Sequence, residues 1–259
     1  MKRIPVLFVC LLFFALSCKK SDKLSVPPGV IQPPPMPNMA GVSSYLQNTT
    51  IRNVWGIMEA ITVRGNYISS AGLYIPIYAN NASAHFGNGH AGTVSVNNVI
   101  LDTTFGVNGY GLLSYINASP YTKDSLNFNV DDNWKVSGNG NVPSISFNYT
   151  GAFPSFYGTL PVSIKSTDGF SITFDASNNS DADSAFIYIC TSEGHGFASS
   201  IVSAHGGTAT LGSYNIPAAN FGAVTYLEIF LSRYTTKVFG NKQFAFVKIN
   251  EFIQNVTIN

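Results

Sequence analysis

Ser144-Ile-Ser-Phe-Asn-Tyr149 decides the fold class. Ile145, Phe147 and Tyr149 point one way, and Ser144, Ser146 and Asn148 the other. That alternation has a period of two, which is the signature of a strand with one face in a core. The same period recurs outward from it. Phe170-Ser-Ile-Thr-Phe174 alternates downstream, as do Gln243-Phe-Ala-Phe-Val-Lys-Ile249 and Phe252-Ile-Gln-Asn-Val-Thr-Ile258. One segment, Asn53 to Val63, fits a helical face through Val54, Ile57, Met58 and Ile61. The β-branched residues crowding its end favour a strand there too.

Turn chemistry falls between these runs. Asn97-Asn98 interrupts Val94–Val96 from Val99–Leu101, Asn139-Gly140 follows Trp134–Gly138, and Gly240-Asn241 separates Thr235–Phe239 from Lys242–Ile249. Asp168-Gly169, between Val162–Lys165 and Phe170–Phe174, predicts a hairpin. Strands spaced by roughly 8–12 residues with such turns predict an all-β sandwich or barrel. A seam is expected near Phe153-Pro154, giving two sandwiches, 45–153 and 154–259. The alternative is a single larger sandwich built from both halves. In strand count, though not by motif, the second half resembles immunoglobulin-like and fibronectin type III domains. Each half has the size of such a domain, although neither carries the cysteine pair of antibody domains; the predicted fold is all-β, with two immunoglobulin-like antiparallel β-sandwiches.

The N-terminus reads as an address. Lys2 and Arg3 precede an apolar stretch, Val6 to Leu16, too short to span a bilayer. It ends in Ala15-Leu16-Ser17-Cys18, which resembles the lipobox of bacterial lipoproteins. The resemblance implies a signal peptide at 1–17, cleavage before Cys18, a diacylglycerol thioether on its sulfur, and acylation (palmitate or similar) of its amino group. Two or three acyl chains hold a protein to a membrane where one holds it only marginally. Residues 18–44 then form the lipidated N-terminus and a tether. Val26-Pro27-Pro28-Gly29 and Pro33-Pro34-Pro35-Met36-Pro37 favour extended polyproline II, and some 25 residues at ~3.1 Å each reach roughly 75 Å. The layout is similar to that of Bacteroidota envelope lipoproteins. That implies a cell-envelope site, with the outer membrane favoured and its periplasmic or surface face left open. The single acid in Lys19-Lys20-Ser21-Asp22-Lys23 departs from the acidic cluster that surface-exported members carry after the cysteine.

Composition narrows the function classes. The 259 residues are 45% hydrophobic but only 10% charged, and the net charge is +1. Removing 1–17 takes away Lys2 and Arg3 and leaves 12 basic against 13 acidic side chains. Nucleic-acid binding through phosphate neutralisation is not expected. Of the three cysteines, Cys10 leaves with the signal and Cys18 carries lipid. Cys190 is left alone in an apolar run, as a small buried hydrophobe, so no intramolecular disulfide is available.

No candidate chemistry stands out. His85-Phe-Gly-Asn-Gly-His90 supplies two imidazoles but not the three or four ligands of a metal site, and a polar turn is expected there. Glu193-Gly-His195 and His205, with Ser192 or Ser203, lack a nucleophile elbow. Asp175, Asp181 and Asp183 are weak calcium candidates in an oxygen-rich loop; otherwise no cofactor is expected. Asp131-Asp132 suggests a paired-carboxylate glycosidase, but neighbours on a strand point to opposite faces, and a turn is expected. Tyr110, Tyr115, Tyr121, Phe153, Phe156 and Tyr157 lie near predicted loops. Their rings suit sugars or protein partners, with core packing the alternative. The expected role is therefore recognition of a glycan or an envelope protein from a lipid anchor. The rivals are a polysaccharide hydrolase and a passive assembly subunit.

Overall fold

The computed structural model describes residues 51, 53–68, 74–87, 90–103, 109–115, 126–128, 131–155, 160–173, 182–191, 196–203, 208–211 and 225–259. The described chain is all-β, with no helix and a sandwich arrangement of sheets. Of the candidate residues, Cys18, Tyr121, Phe156, Tyr157, Asp175, Asp181, Ser192, Glu193, His195 and His205 lie outside it, as do the side chains of Tyr115, Cys190 and Ser203.

The strands in chain order are β1 (Gly56–Ile68), β2 (Tyr74–Phe86), β3 (Val94–Val96), β4 (Val99–Ile100), β5 (Gly109–Tyr115), β6 (Asp132–Val136), β7 (Ile145–Tyr149) and β8 (Ser163–Ile164). They continue with β9 (Phe170–Thr173), β10 (Ser184–Thr191), β11 (Gly196–Ser203), β12 (Thr208–Leu211), β13 (Thr225–Phe239), β14 (Lys242–Asn255) and β15 (Thr257–Ile258). Seven form one sheet in the order β11-β10-β13-β14-β1-β2-β5, and four form a second in the order β4-β3-β6-β7.

Asparagine and glycine place the tight turns. Gly240 (φ 51°) and Asn241 (φ 61°) join β13 to β14, and Asn97 (φ 49°) and Asn98 (φ 67°) join β3 to β4. Two consecutive left-handed residues match the right-handed twist of the flanking strands, and asparagine tolerates that conformation better than other side chains do. The Asp168-Gly169 turn also forms, with Asp168 N–H donating to the Lys165 carbonyl at 3.1 Å. The expected hairpin does not. β8 pairs in parallel with β15, and β9 pairs with β12, so local turn chemistry is overridden by partners distant in sequence.

The two sheets face each other across a core of Met58, Ala84, Phe86 and Phe246 from the large sheet and Val94, Val96, Trp134 and Ile145 from the small one. Trp134 is fully buried. Farther along the same face of the large sheet, Ile187, Leu227, Ile229 and Leu231 meet Ile164, Val256 and Ile258. The opposite face carries Ile57, Ala245, Val247 and Ile249, packed with Ile51 and Val54.

Strands from both sides of the expected 153/154 seam share the large sheet. The join is β1 with β14, a parallel pairing that sets Met58 opposite Phe246 and Thr62 opposite Asn250. At Gly65, opposite Ile253, an added Cβ would lie 2.1 Å from the Ile253 carbonyl oxygen. Only glycine lets the backbones approach that closely. The seam itself is held against this face. Asn250 donates to the Pro154 carbonyl at 3.0 Å, Lys248 donates to that of Gly151, and Phe153 packs on the first core.

Candidate functional site

At one corner of the sandwich, β7 and β13 leave a cleft of about 480 Å3 between them. Its walls are Phe147 to Thr150 on one side and Arg233 to Thr235 with Lys237 on the other. β7 is the outer strand of the small sheet. On the large sheet, β10 accompanies β13 only from Thr225 to Ser232. Beyond that point β13 continues to Phe239 with β14 on one side. The cleft therefore exists because β13 is seven residues longer than its pairing with β10.

Asp183 ends that pairing. Its carboxylate accepts the Tyr234 N–H at 2.8 Å, while its own N–H donates to the Ser232 carbonyl at 2.8 Å. This is a structural task for one of the calcium candidates. Among the described residues no group of three or more His, Cys, Asp or Glu is placed to hold a metal ion.

The floor of the cleft covers a buried ion pair. Asp132 and Lys248 are both fully buried, with Lys248 Nζ 3.5 Å from Asp132 Oδ2. The ammonium also lies 5.0 Å from the Tyr149 ring centre and 5.1 Å from that of Phe153, within the range of cation–π attraction. Burial outweighs the attraction of Lys248 and pushes the Asp132 carboxyl up to about 6. Burial likewise lowers the Lys248 ammonium from its ordinary value, against the opposing pull of Asp132. Tyr149 is raised by the same desolvation, with nearby Arg233 pulling against it.

The Asp131-Asp132 pair is thus corrected from a turn to the entry of β6. Asp131 faces outward, where its carboxylate accepts from Asn148 Nδ2 at 3.1 Å, and Asp132 faces the core. The opposite orientation predicted for neighbours on a strand holds. What the sequence hid was the partner, Lys248, 116 positions away.

Tyr110, one of the rings that could contact a ligand or pack in a core, lies in β5 and packs in the core. It is 1% exposed, with its edge toward Phe86 and its hydroxyl accepting the Ala91 N–H at 2.8 Å. That hydroxyl supplies a backbone partner, so the ring is core. His85 is likewise corrected from a polar turn to a half-buried strand residue in β2, and His90 is exposed. Burial lowers His85, and Glu59 opposes that shift. Glu59, fully buried, accepts from Ser83 Oγ at 2.6 Å.

Sequence reasoning missed Arg233, Tyr234 and Lys237, and it faced Phe147 and Tyr149 into a core, where Tyr149 is indeed buried. Phe147 is in fact half-buried: it backs onto Phe246, with centroids 4.3 Å apart, and receives Lys237 Nζ at 5.6 Å from its centre. The available signal was the length of the run Thr225 to Phe239, longer than a sandwich layer needs. Its consequence depends on where β10 stops. No protein family, curated protein or solved structure matches this chain.

Proposed function

We propose that the protein is a lipid-anchored recognition protein of the cell envelope, attached through Cys18, that takes a glycan or protein partner in the cleft between β7 and β13. The observation that carries this reading is the composition of the cleft. Aromatic surface from Phe147 and Tyr149 lies beside the amide of Asn148, the hydroxyls of Thr150 and Thr235, and the cations Arg233 and Lys237. The accessible lining is mostly polar, with hydrogen-bonding groups and two cations beside the Phe147 ring, a set that suits a polar ligand. The carboxylates beside it have structural tasks. Asp131 holds Asn148, Asp183 caps β13, and Asp132 is buried with Lys248. That distribution favours binding over a carboxylate-driven hydrolysis, which needs two such groups flanking a bond.

The test uses the full-length protein in detergent micelles as bait for solubilised envelope material, beside a Thr235→Trp variant that fills the cleft. Retention by the parent and loss by the variant is the expected result. Equal retention would remove the cleft from the account. For the anchor, Cys18→Ser should move the protein from the detergent phase to the aqueous phase; unchanged partitioning would end the lipoprotein reading.

A further inference from the structure

Phe147 to Thr150 are consecutive, and so are Arg233 to Thr235, yet all of them line the cleft. Successive side chains on a strand point to opposite faces. What consecutive residues share is the strand edge, so the cleft is bordered by two backbone edges.

The hydrogen-bond parity of each edge follows from its neighbours. In an antiparallel strand, both backbone groups of alternate residues point to the same side. The Tyr234 N–H points away from β14, to Asp183. Thr236 and Val238, in step with Tyr234, therefore direct their N–H and C=O groups outward as well. For β6, Ser137 N–H and the Asn133 carbonyl bond toward the β3 side, so Asp132, Trp134 and Val136 pair with β7. Their partners Tyr149, Phe147 and Ile145 point inward, which leaves Ser146 and Asn148 pointing outward. Among the described residues, no strand or side chain takes up the outward backbone groups of Thr236 and Val238.

Val238 also leaves 45% of its surface exposed. On the face toward the small sheet, Arg233, Thr235 and Lys237 alternate, so cations stand four residues apart along the edge. An open edge is a template for another strand, and proteins that do not use such edges cover them.

We infer that the cleft takes an extended polypeptide, added as a strand to the β13 edge at Thr236 and Val238, with an acidic side chain beside Lys237. This rests on the cleft being the recognition site and narrows its ligand from glycan or protein to polypeptide. A row of outward N–H and C=O groups at two-residue spacing matches the ladder of a peptide backbone. The Lys237 ammonium matches an acid opposite it, since directly opposed residues on paired strands share a face.

The probe is a capped peptide of nine residues alternating Thr and Glu, titrated into the full-length protein in detergent micelles. A second peptide carries N-methyl groups on alternate residues, and polygalacturonate serves as an acidic glycan. The expected result is binding of the first peptide, at least tenfold weaker binding once methylated, and slowed amide exchange at Thr236 and Val238. Lys237→Glu, on an exposed side chain that leaves the fold intact, should weaken the peptide at least fivefold. Equal binding of both peptides would overturn strand addition. Binding of polygalacturonate with no peptide binding would overturn the polypeptide assignment and leave the cleft as a glycan site. If neither probe binds and Thr235→Trp still retains envelope material, the cleft reading fails together with the inference.

Discussion

Replacing both members of the buried ion pair, Asp132→Asn with Lys248→Met, should change how stability depends on pH more than it changes the fold. In the native protein the Asp132 carboxyl is raised from 3.8 to about 6. Between those values the folded state holds a proton that the unfolded chain has released, so stability falls as pH rises through that window. At about 1.36 kcal/mol per pH unit, the loss from this group is roughly 3 kcal/mol between pH 3.5 and pH 7. Lys248 is shifted downward, so its contribution runs the other way and rises with pH on the alkaline side, toward 10.5. The double variant lacks both titrations. Its urea-unfolding free energy, followed by the fluorescence of buried Trp134, should lose this acid-side fall relative to the parent. At neutral pH it should equal or exceed the parent, because a neutral pair of similar volume avoids the desolvation of two ions. Asp132→Asn alone, which fixes the neutral form of this side chain, should likewise lose the acid-side fall, while the Lys248 ammonium, left buried without its counter-charge, should lose its proton at lower pH than in the parent. Parallel pH profiles for the parent and the double variant would refute the reasoning.

Three further outcomes follow from packing. Gly65→Ala forces a methyl carbon to 2.1 Å from the Ile253 carbonyl oxygen; thermal unfolding should occur at least about 5 °C lower, with exchange of the amides at the far end of β14 accelerated first. Trp134→Ala empties the centre of the first core and should cost about 3–5 kcal/mol in urea unfolding. Tyr110→Phe removes the acceptor of the Ala91 N–H and should cost about 1–3 kcal/mol for the buried donor, with little change in near-ultraviolet circular dichroism beyond the lost tyrosine.

Period-two alternation made strands legible wherever one face met a core and the other met solvent, as at β7 and β6. Paired asparagines made the β3–β4 turn legible, because its geometry is written in adjacent residues. Pairing partners were not legible. The Asp168-Gly169 turn reads as a hairpin, yet β8 and β9 find distant strands. Nothing near residue 60 announces β14, whose partner residues lie 188 positions later at Asn250. The cleft was legible only in fragments for the same reason. Its aromatic wall belongs to a strand the sequence displays clearly. The other wall is exposed by the stopping point of β10, and Tyr110, which looked like a loop ring, is fixed inside by a hydroxyl bond to a backbone amide.

The parallel pairing of β1 with β14 puts the earliest and the latest long strands of the described chain side by side in the middle of the large sheet. A chain made only as far as residue 240 holds β1 and β2 with no neighbour for the inner flank of β1, so this sheet cannot close before β14 is present. Closing it brings together residues 188 positions apart, and contacts so distant in sequence slow folding. Loss of β14 would delete the sheet's middle rather than trim its rim, leaving two half-sheets with bare inner flanks and a strong tendency to aggregate.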